Sequence, residues 1–493
     1  MEKLGFILIV VYTLFLLYIT VFCLLQLFLL RSYRKQKKEK SLLTPFSLND
    51  ERLPIVTVQL PIFNELYVVD RLLDNITQLQ YPRSKFEIQV LDDSTDETIE
   101  HAKAKVQHYK ELGFDIHYIH RSDRAGFKAG ALKEGMKIAK GEFIAIFDAD
   151  FLPESDFLLK ALPYFSSDNI AVVQTRWGHI NEDFSLLTQL QAFQLNVHFT
   201  VEQAGRCAAG HFLQFNGTAG IWRKKAIDDA GGWQADTLTE DLDLSYRAQL
   251  KGWKINYIED ITCSAELPAE IYGLKSQQFR WMKGGAENSR KLLPTILKSD
   301  LPFKTKFHSF MHLMASGIFL IIFLVAIASV PVLYAMDYFN LKATFLGFCL
   351  LGTLAVLSVF YEANIMTCWK EKKTEYPLLK FVMLFPIFMG LSMGMSLHNS
   401  IAVIQGYRGK KSSFIRTPKF NLLNIKDRLH DNNYLIHKIE WTSWLEALIC
   451  LYFVFAIYLG FKLEYYSFIL FHALLMFGFG INFYYALRHL NFK

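Results

Sequence analysis

The sequence has few of the features that mark a zinc-bound, disulfide-bonded or nucleic-acid-binding protein. Its six cysteines are scattered, without a CxxC pair or a histidine-rich spacing, so a zinc site and a disulfide framework are both unsupported and a reducing compartment fits. The net charge of +6 comes without a basic stripe or a Lys/Arg-Gly tract, so nucleic acid is not an expected partner. Hydrophobic residues are abundant instead. They make up 52% of the 493 residues, beside 20% charged residues, a mixture typical of a chain that is part membrane-embedded and part soluble.

Long apolar runs predict membrane helices. The first, Leu4–Leu30, has 27 residues without a charge, enough to cross roughly 30 Å of hydrocarbon at about 1.5 Å per residue. It is too long for a signal-peptide core and has no small-residue cleavage site, so we expect it to be retained. Further runs follow a stretch of ordinary globular composition: Leu313–Met336, Ala343–Tyr361, Phe381–Tyr407, Ala447–Phe461 and Tyr465–Leu487.

The distribution of Lys and Arg predicts the orientation. Basic segments at 31–40, 370–373, 408–411 and 488–493 place the soluble stretch in the cytoplasm. The run Phe381–Tyr407 conflicts with this arrangement if it crosses fully, because 408–411 would then lie outside. Proline, glycine and polar residues interrupt it, namely Pro386, Gly390, Gly394, His398 and Asn399. We therefore expect a broken, re-entrant or interfacial segment there and five full crossings, with six as the alternative.

The soluble stretch reads as an α/β domain. Apolar strands at 55–60, 86–91 and 143–147 alternate with helical segments, which predicts a largely parallel sheet with helices on both faces. Ligands of such sheets bind beyond the carboxyl ends of the strands. The pairs Asp92–Asp93 and Asp148–Asp150 both lie at such ends.

Each acidic motif also has a simpler interpretation. Asp92–Asp93 could cap the helix that follows, and a DxD spacing such as Asp148–Asp150 is common by chance. Two carboxylates behind five apolar residues could instead hold a divalent cation on a diphosphate, and hard oxygen ligands favour Mg²⁺ or Mn²⁺. Glu240 and Asp241, at a predicted helix start, could be N-terminal caps or could include a general base for an attacking hydroxyl.

Two further segments are ambiguous when taken singly. FNGTAGIWRKKAI (215–227) is either a tight turn or a close backbone approach to a sugar. QQFRW (277–281) places Gln277, Arg280 and Trp281 on one helix face, where a guanidinium suits a diphosphate and an indole suits a sugar ring. The same trio could pack a helix onto a membrane surface.

The order of the motifs removes the ambiguity. LDDS, DAD, TED and QQFRW together resemble the D, DxD, TED and QxxRW signature of glycosyltransferase family 2 processive synthases, which include cellulose, hyaluronan and mannan synthases. The likeness is strongest to the plant mannan and glucomannan synthases of the cellulose-synthase-like A and C groups, and it covers roughly residues 50–290. It is carried by QLPIFNE, FKAGAL, DADF, VVQTRW, HFTVEQ, FNGTAGIWRKKAI, GGWQADTLTEDLDLSYRAQLKGW and ELPAEIYGLKSQQFRW.

The resemblance implies a role for each matching residue. The residues expected at the base and ribose of the donor are Pro61, Asn64, Glu65 and Asp93, with Asp92 as an additional candidate. Those expected at the diphosphate are Lys128, Gln277 and Arg280. Asp148 and Asp150 would hold the metal and the donor, with Mg²⁺ or Mn²⁺ as the cofactor. Asp241 would be the general base, Glu240 would be a substrate-binding neighbour, and Trp281 would be the platform for the acceptor sugar.

The resemblance also implies an organisation for the whole chain. We expect a GT-A domain, Rossmann-like with a mixed sheet, joined to an α-helical transmembrane bundle. The expected segments are a membrane helix at 1–30, the cytoplasmic GT-A domain at 31–290, an amphipathic interfacial region at 291–312, membrane helices with the re-entrant or interfacial segment at 313–407, a cytoplasmic gating-loop-like segment at 408–440 and a membrane hairpin at 441–493. FIRTPK (414–419) resembles the gating loop of cellulose synthases more loosely, because Arg416-Thr417 replaces the Val-Thr of that loop.

The predicted activity is transfer of a hexose from UDP-glucose or GDP-mannose to a growing β-glycan, with inversion and with translocation of the product through the membrane. The expected location is a plasma or inner membrane, or a Golgi-type membrane, and the expected partners are the nucleotide-sugar donor, the glycan acceptor and the lipid bilayer, with protein partners unknown. The alternative is transfer of one sugar to a lipid acceptor of the polyprenyl phosphate or ceramide type. A channel or transporter is disfavoured because few ionisable residues occur inside the apolar runs. An inactive scaffold is disfavoured because every expected carboxylate is present.

Overall fold

The computed structural model describes residues 2–39, 43–341, 346–412, 414–422 and 439–490. One sheet forms the centre of an α/β domain, with strand order β3-β2-β1-β4-β7-β6-β8-β5. Its strands are β1 Val56–Ile62, β2 Phe86–Asp92, β3 Asp115–His120, β4 Phe143–Ile146, β5 Leu152–Pro153, β6 Ile170–His179, β7 Gly220–Arg223 and β8 Lys254–Ala265. Strands β3, β2, β1 and β4 are parallel, whereas β7 is antiparallel to both of its neighbours. The predicted mixed sheet is thus present.

The register of the parallel strands brings three loops to one edge of the sheet. Val56 of β1 pairs with Phe86 of β2 and with Phe143 of β4, and Ile62 pairs with Asp92. The strand interiors are apolar and buried, as expected for parallel strands covered on both faces. Because the carboxyl ends of β1, β2 and β4 coincide, the loops that carry PIFNE, LDDS and DAD leave the sheet side by side.

Helices cover both faces of the sheet. In chain order they are α2 Val69–Ile76, α3 Thr98–Glu111, α4 Phe127–Met136, α5 Phe157–Ala161, α6 Leu186–Val197, α7 Gly205–Ala208, α8 Lys224–Asp229 and α9 Glu240–Leu250, with a π-helical turn His198–Ala204 between α6 and α7. The long helix α1 Glu2–Glu39 precedes them and packs with the helical bundle. One core packs α2, α3 and α5 on the sheet. The other core includes Leu29 and Leu30 of α1 together with Phe193 of α6, so it continues from the sheet into the long apolar helices.

The remaining helices form the bundle. They are α10 Ile271–Lys298, α11 Phe303–Leu313, α12 Ile318–Tyr338, α13 Leu346–Tyr361, α14 Trp369–Glu371, α15 Pro377–Gly394, α16 Ser396–Tyr407, α17 Trp441–Lys462 and α18 Tyr466–Arg488. Six described segments are long and apolar enough to cross a membrane: Glu2–Lys38, Ala315–Tyr338, Leu350–Glu371, Pro377–Gly394, Trp441–Lys462 and Tyr466–Arg488. The sequence-based count of five full crossings leaves out α15.

The apolar run that contains α15 is divided at Met395. Before the break, Lys380 lies 4.0 Å from Glu182 of the α/β domain. After it, His398 Nε2 lies 2.9 Å from the carbonyl oxygen of Lys275 on α10, and Gly406 lies against the backbone of Lys283. Both ends of residues 377–407 therefore lie on the side of the bundle that faces the α/β domain.

Helix α10 is held at its N-terminus by the last two described helices. Glu270 caps it by accepting a hydrogen bond of 2.7 Å from the N–H of Tyr272. The ion pair between Lys275 and Glu446 of α17, at 2.8 Å, is almost fully buried. The N–H of Ile271 donates to Nδ1 of His489 at 2.9 Å. The position of α10 is thus fixed by residues far along the chain.

Candidate active site

A cleft opens at the edge where β1, β2 and β4 end. Helix α10 and the segment Phe414–Lys419, which we call the strap, form its opposite side. Most of the residues predicted from the sequence line it together: Pro61, Glu65, Asp93, Lys128, Asp148, Asp150, Glu240, Asp241, Gln277, Arg280 and Trp281. Asn64 and Asp92 are not among the lining residues.

Asp92 faces away from the cleft because successive side chains of a strand alternate in direction. It is fully buried and accepts a hydrogen bond of 2.6 Å from Tyr118 on β3 and one of 2.8 Å from the N–H of Ser94. Asp93, the next residue, lines the cleft and accepts a hydrogen bond of 2.8 Å from Nε of Arg121. The geometry therefore favours Asp93 over Asp92 as a substrate contact.

Asn64 braces the rim of the cleft. Its backbone has a positive φ of 54°, its N–H donates to Ser94 Oγ at 2.7 Å, and its Oδ1 accepts from the N–H of Thr95 at 2.8 Å. These bonds join the loop after β1 to the loop after β2. Asn64 thus connects the two loops, and its direct contact with the nucleoside stays a prediction.

The two carboxylates of DAD have different surroundings. Asp148 forms an ion pair with Lys128, which also donates to the carbonyl oxygen of Gly217 at 3.0 Å. Burial alone would lower the pKa of Lys128, but the carboxylates of Asp148 and Glu240 raise it above its ordinary value. Asp150 is almost fully buried and accepts a hydrogen bond of 2.7 Å from Lys419 of the strap.

The carboxylates of DAD could serve a metal ion only together with external ligands. No three His, Cys, Asp or Glu side chains converge into a metal centre within the part of the chain that the structure describes. The Asp148 side chain is 34% exposed, so its oxygens are accessible from the cleft. Mg²⁺ and Mn²⁺ commonly combine one or two carboxylates with water and phosphate oxygens, and this donor set fits that pattern.

Asp241, at the start of α9, lies next to Gly217 of the FNGT segment. Burial and the neighbouring Glu240 raise the pKa of Asp241 to about 7. Gly217 has a φ of 82°, and a Cβ there would lie 3.0 Å from Asp241 Oδ2. A glycine is therefore required for the backbone conformation and for access to the carboxylate. A carboxyl with a pKa near neutrality beside an open backbone suits a general base.

Helix α10 positions the loop that precedes Asp241. A Cβ on Gly284 would lie 2.5 Å from Thr239 Oγ1, which shows how closely the helix approaches this loop. Asn288 Nδ2 donates to the carbonyl oxygen of Thr239 at 3.0 Å, and Glu287 accepts from the N–H of Leu238 at 2.8 Å. The helix that carries QQFRW thus also holds the TED motif.

The cleft-facing side of α10 presents Gln277, Arg280 and Trp281, as their helical spacing predicted. Arg280 donates to Thr417 Oγ1 at 2.8 Å, and its guanidinium lies over the ring of Phe414 at 4.4 Å. Burial lowers the pKa of Arg280, although the nearby carboxylates oppose this effect. Its charge remains available to an anion because the pKa of arginine starts far above neutrality.

The strap pairs with the acidic side of the cleft. Arg416 lies 3.3 Å from Glu65, and Lys419 joins Asp150 to the carbonyl oxygen of Glu266, 2.6 Å away. Burial raises the pKa of Glu65 to about 8, with Asp150 also raising it and Arg416 lowering it. The FIRTPK resemblance predicted a segment at this place but not these ion pairs. Part of the predicted 408–440 segment, residues 423–438, lies outside the described residues.

The lining also includes polar and aromatic residues that sequence reasoning did not name as site candidates, among them Arg124, Trp177, His179 and Asn216. Arg124 lies over the ring of Phe63 at 3.2 Å. Trp177 and His179 follow a register shift in β6. Burial lowers the pKa of His179 to about 3, so the ring is neutral. Trp177 and Asn216 belong to the VVQTRW and FNGT segments, but a motif alone does not tell which of its side chains faces the cleft.

Residues 54–284 match a family model described as glycosyltransferase like family 2. They form a family 2 glycosyltransferase domain. All the predicted site residues lie within this matched stretch, whereas the strap lies outside it. The predicted resemblance to family 2 synthases of the mannan and glucomannan group is confirmed by the relatives of the domain.

Two plant proteins illustrate that similarity. Probable glucomannan 4-beta-mannosyltransferase 7 of Oryza sativa subsp. japonica is 44% identical over 261 residues, which are 52% of this chain and 45% of the relative. Glucomannan 4-beta-mannosyltransferase 2 of Arabidopsis thaliana is 44% identical over 257 residues, 51% of this chain and 48% of the relative. The match therefore spans about half the length of these relatives.

A solved structure confirms the GT-A fold of the family 2 domain. Mannosyltransferase PcManGT from Pyrobaculum calidifontis, whose structure contains GDP-Man and Mn²⁺, is 19% identical with a TM-score of 0.52. The alignment covers 83% of this chain and 99% of that one. At this level of identity the likeness establishes the fold, and the predicted fold class is confirmed.

Proposed function

We propose that the chain transfers a hexose from a nucleotide sugar to a hydroxyl of a growing β-glycan. The observation that carries the proposal is that Asp241, Lys128 and Arg280 meet in one cleft that is next to the helical bundle. Leu195 and Trp177 line the cleft and also pack against the core shared with the bundle. A polymer held there would lie between the chemistry and the membrane.

The reaction is a single displacement at the anomeric carbon. The bond between the anomeric carbon and the phosphate oxygen breaks, the acceptor oxygen forms the new bond, and its proton passes to Asp241. Lys128 and Arg280 stabilise the negative charge that develops on the departing nucleoside diphosphate. One displacement inverts the configuration, so an α-linked donor gives a β-linkage.

A divalent cation, Mg²⁺ or Mn²⁺, is part of the proposal. Support comes from the accessible carboxylate of Asp148 and from the Mn²⁺ named with GDP-Man in the solved mannosyltransferase. Asp148 and Asp150 would provide the protein ligands. When bound, the ion would neutralise charge on the leaving diphosphate.

The donor favoured first is GDP-mannose. Both plant relatives are named as mannosyltransferases, and the solved structure contains GDP-Man. UDP-glucose is the second candidate, because a diphosphate bound by Lys128 and Arg280 occurs in both donors.

We place the family 2 domain in the cytoplasm, on the inner side of the membrane. The cytoplasmic end of α1 carries Arg31, Arg34 and Lys35, and Tyr33 beside them donates to Glu259 of the domain at 3.0 Å. Basic residues next to membrane helices favour the inner side. Since residues 377–407 begin and end on the domain side, we take α15 and α16 as interfacial or re-entrant, which leaves five crossings.

The test uses the full-length protein in lipid nanodiscs. It is incubated with GDP-mannose, UDP-glucose or UDP-N-acetylglucosamine and with Mg²⁺ or Mn²⁺, and the products are sized before and after digestion by a β-mannanase or a cellulase. We expect a ladder of β-mannan from GDP-mannose. A single sugar in the organic phase would support transfer to a lipid acceptor instead, and no turnover with any donor would contradict the proposal.

A further inference from the structure

The amide of Asn216 is held in one orientation beside the proposed base. Its Oδ1 accepts a hydrogen bond from His198 Nε2 at 3.1 Å and another from Gln214 Nε2 at 2.9 Å. Its Nδ2 has no hydrogen-bond partner among the described residues and almost no accessible surface, and the residue, which is 8% exposed, belongs to the cleft lining. Buried polar groups are nearly always paired, so an unpaired N–H group on a residue of the cleft wall points to a ligand.

A histidine and a glutamate support this orientation. His198 Nδ1 lies 2.9 Å from Glu202 Oε2, so the ring joins the carboxylate to the Asn216 amide. Burial alone would raise the pKa of Glu202, but the hydrogen bond and charge of His198 lower it. His198 and Glu202 belong to the π-helical turn His198–Ala204, a local geometry that frequently marks functional sites.

Asn216 lies beside the residue proposed as the base for the acceptor hydroxyl. Asn216 directly precedes Gly217, the residue whose missing side chain leaves room for Asp241 Oδ2. Leu195, one helical turn before His198, lines the cleft and packs against the core shared with the bundle. The expected nucleoside contacts, Pro61 and Asp93, come instead from the carboxyl ends of the parallel strands β1 and β2. A sugar hydroxyl is therefore the fitting partner.

We propose that Asn216 Nδ2 donates a hydrogen bond to a hydroxyl oxygen of the acceptor sugar, next to the hydroxyl that Asp241 deprotonates. His198 and Glu202 are positioning residues, since they act on the sugar only through the amide. This inference rests on the proposed function and adds the residue that selects the acceptor.

The test measures binding of β-1,4-mannotetraose to full-length protein that carries Asp241→Asn, with and without Asn216→Asp. The Asn216→Asp change keeps an oxygen for His198 and Gln214 and removes only the donor, while the Asp241→Asn background removes any effect of the new charge on the base. We expect about a tenfold weaker tetraose affinity, as for one lost hydrogen bond of roughly 1.4 kcal/mol. GDP affinity, measured in parallel, should stay within about twofold and reports that the fold is intact.

A second pair of variants tests the positioning residues in otherwise native protein. His198→Leu should raise the acceptor KM. His198→Gln, which keeps an N–H donor, should have an acceptor KM closer to the native value, and the donor KM should be unchanged in both variants. Asn256→Ala, an asparagine outside the cleft that donates to the carbonyl oxygen of Tyr164, is the matched control.

Two results would overturn the inference. One is an unchanged tetraose affinity after Asn216→Asp, and the other is a loss of GDP affinity without a loss of tetraose affinity. If unmodified protein makes no glycan from any donor, the proposed function fails and this inference fails with it. If it makes glycan and Asn216→Asp binds the tetraose normally, only this inference fails.

Discussion

The two walls of the cleft differ in charge and in origin. The wall built on the sheet and α9 is mainly acidic, with Glu65, Asp148 and Asp241 among its residues. The wall built from α10 and the strap is basic, with Arg280, Arg416 and Lys419; α10 is tied to α17 of the bundle, and the strap lies on α10. In the structure the walls neutralise each other through the Arg416–Glu65 and Lys419–Asp150 pairs. A nucleoside diphosphate with a divalent cation carries both negative and positive charge. We therefore expect it to break these two ion pairs and to form ion pairs of its own with each wall.

The largest expected effect separates chemistry from binding on the acidic wall. Asp241→Asn removes the base, and we expect kcat to fall by about 10²–10⁴-fold while donor affinity is kept. Turnover is measured by nucleotide release and donor affinity by calorimetry. Asp236→Asn, in the exposed loop before α9, is the control. A comparable loss of donor affinity would move Asp241 to the donor site.

The next effect concerns binding on the basic wall. Arg280→Ala removes a charged hydrogen-bond donor to the diphosphate, so we expect donor affinity to fall by about 10–100-fold. Arg280→Lys should recover only part of it, because an ammonium lacks the planar fork of a guanidinium. The control is Arg290→Ala, on the same helix but exposed and away from the cleft. An equal loss in the control would indicate a general disturbance of α10.

A smaller effect tests the neutralisation between the walls. Lys419 and a divalent cation would compete for Asp150, so Lys419→Met should tighten Mn²⁺ binding to nucleotide-free protein by about 3–10-fold. The expected gain is modest because removing an ionic competitor is worth roughly 1 kcal/mol. Mn²⁺ binding is followed by electron paramagnetic resonance. Lys411→Met, in the exposed basic run before the strap, is the control. Unchanged Mn²⁺ affinity would show that the pair does not compete with the ion.

The smallest effect lies within the acidic wall. The pKa of Asp241 is raised to about 7 by burial and by Glu240, and the base acts when deprotonated, so kcat/KM should rise with pH through about 7. Glu240→Gln removes the charge contribution, and the rise should shift to lower pH by several tenths of a unit. The partly exposed Glu134→Gln is the control. A shift to higher pH would contradict the assignment of the base.

The acidic wall was largely predictable from the sequence because its residues follow apolar strands at short range. DAD ends the run 143–147, and the register of β1 with β4 then places it at the ligand edge of the sheet. The sequence left Asp92 and Asp93 as alternatives because the direction of Asp92 depends on β3, whose Tyr118 donates a hydrogen bond to it. That pairing is a property of the assembled sheet rather than of the LDDS motif.

The basic wall was predictable only in part. Helical spacing correctly placed Gln277, Arg280 and Trp281 on one face. The contact of Lys419 with Asp150 joins residues 269 positions apart and has no local signal. The role of Asn216 was not predicted for another reason. The interpretation of FNGT concentrated on its small residues, whereas the orientation of the Asn216 amide depends on His198 from a separate turn.

The anchoring of α10 has a consequence for the order of events during synthesis. Lys275 precedes its partner Glu446 by 171 positions, and Ile271 precedes His489 by 218. When the ribosome has completed the family 2 domain, the charge of Lys275 has no counterpart and the start of α10 is unsecured. A buried ammonium without its carboxylate is strongly disfavoured, so the helix can settle only after α17 and α18 have entered the membrane. The domain is thus translated early but reaches its final structure late. In a chain that still lacks α17 and α18, Arg280 and the TED loop would not yet occupy their final positions.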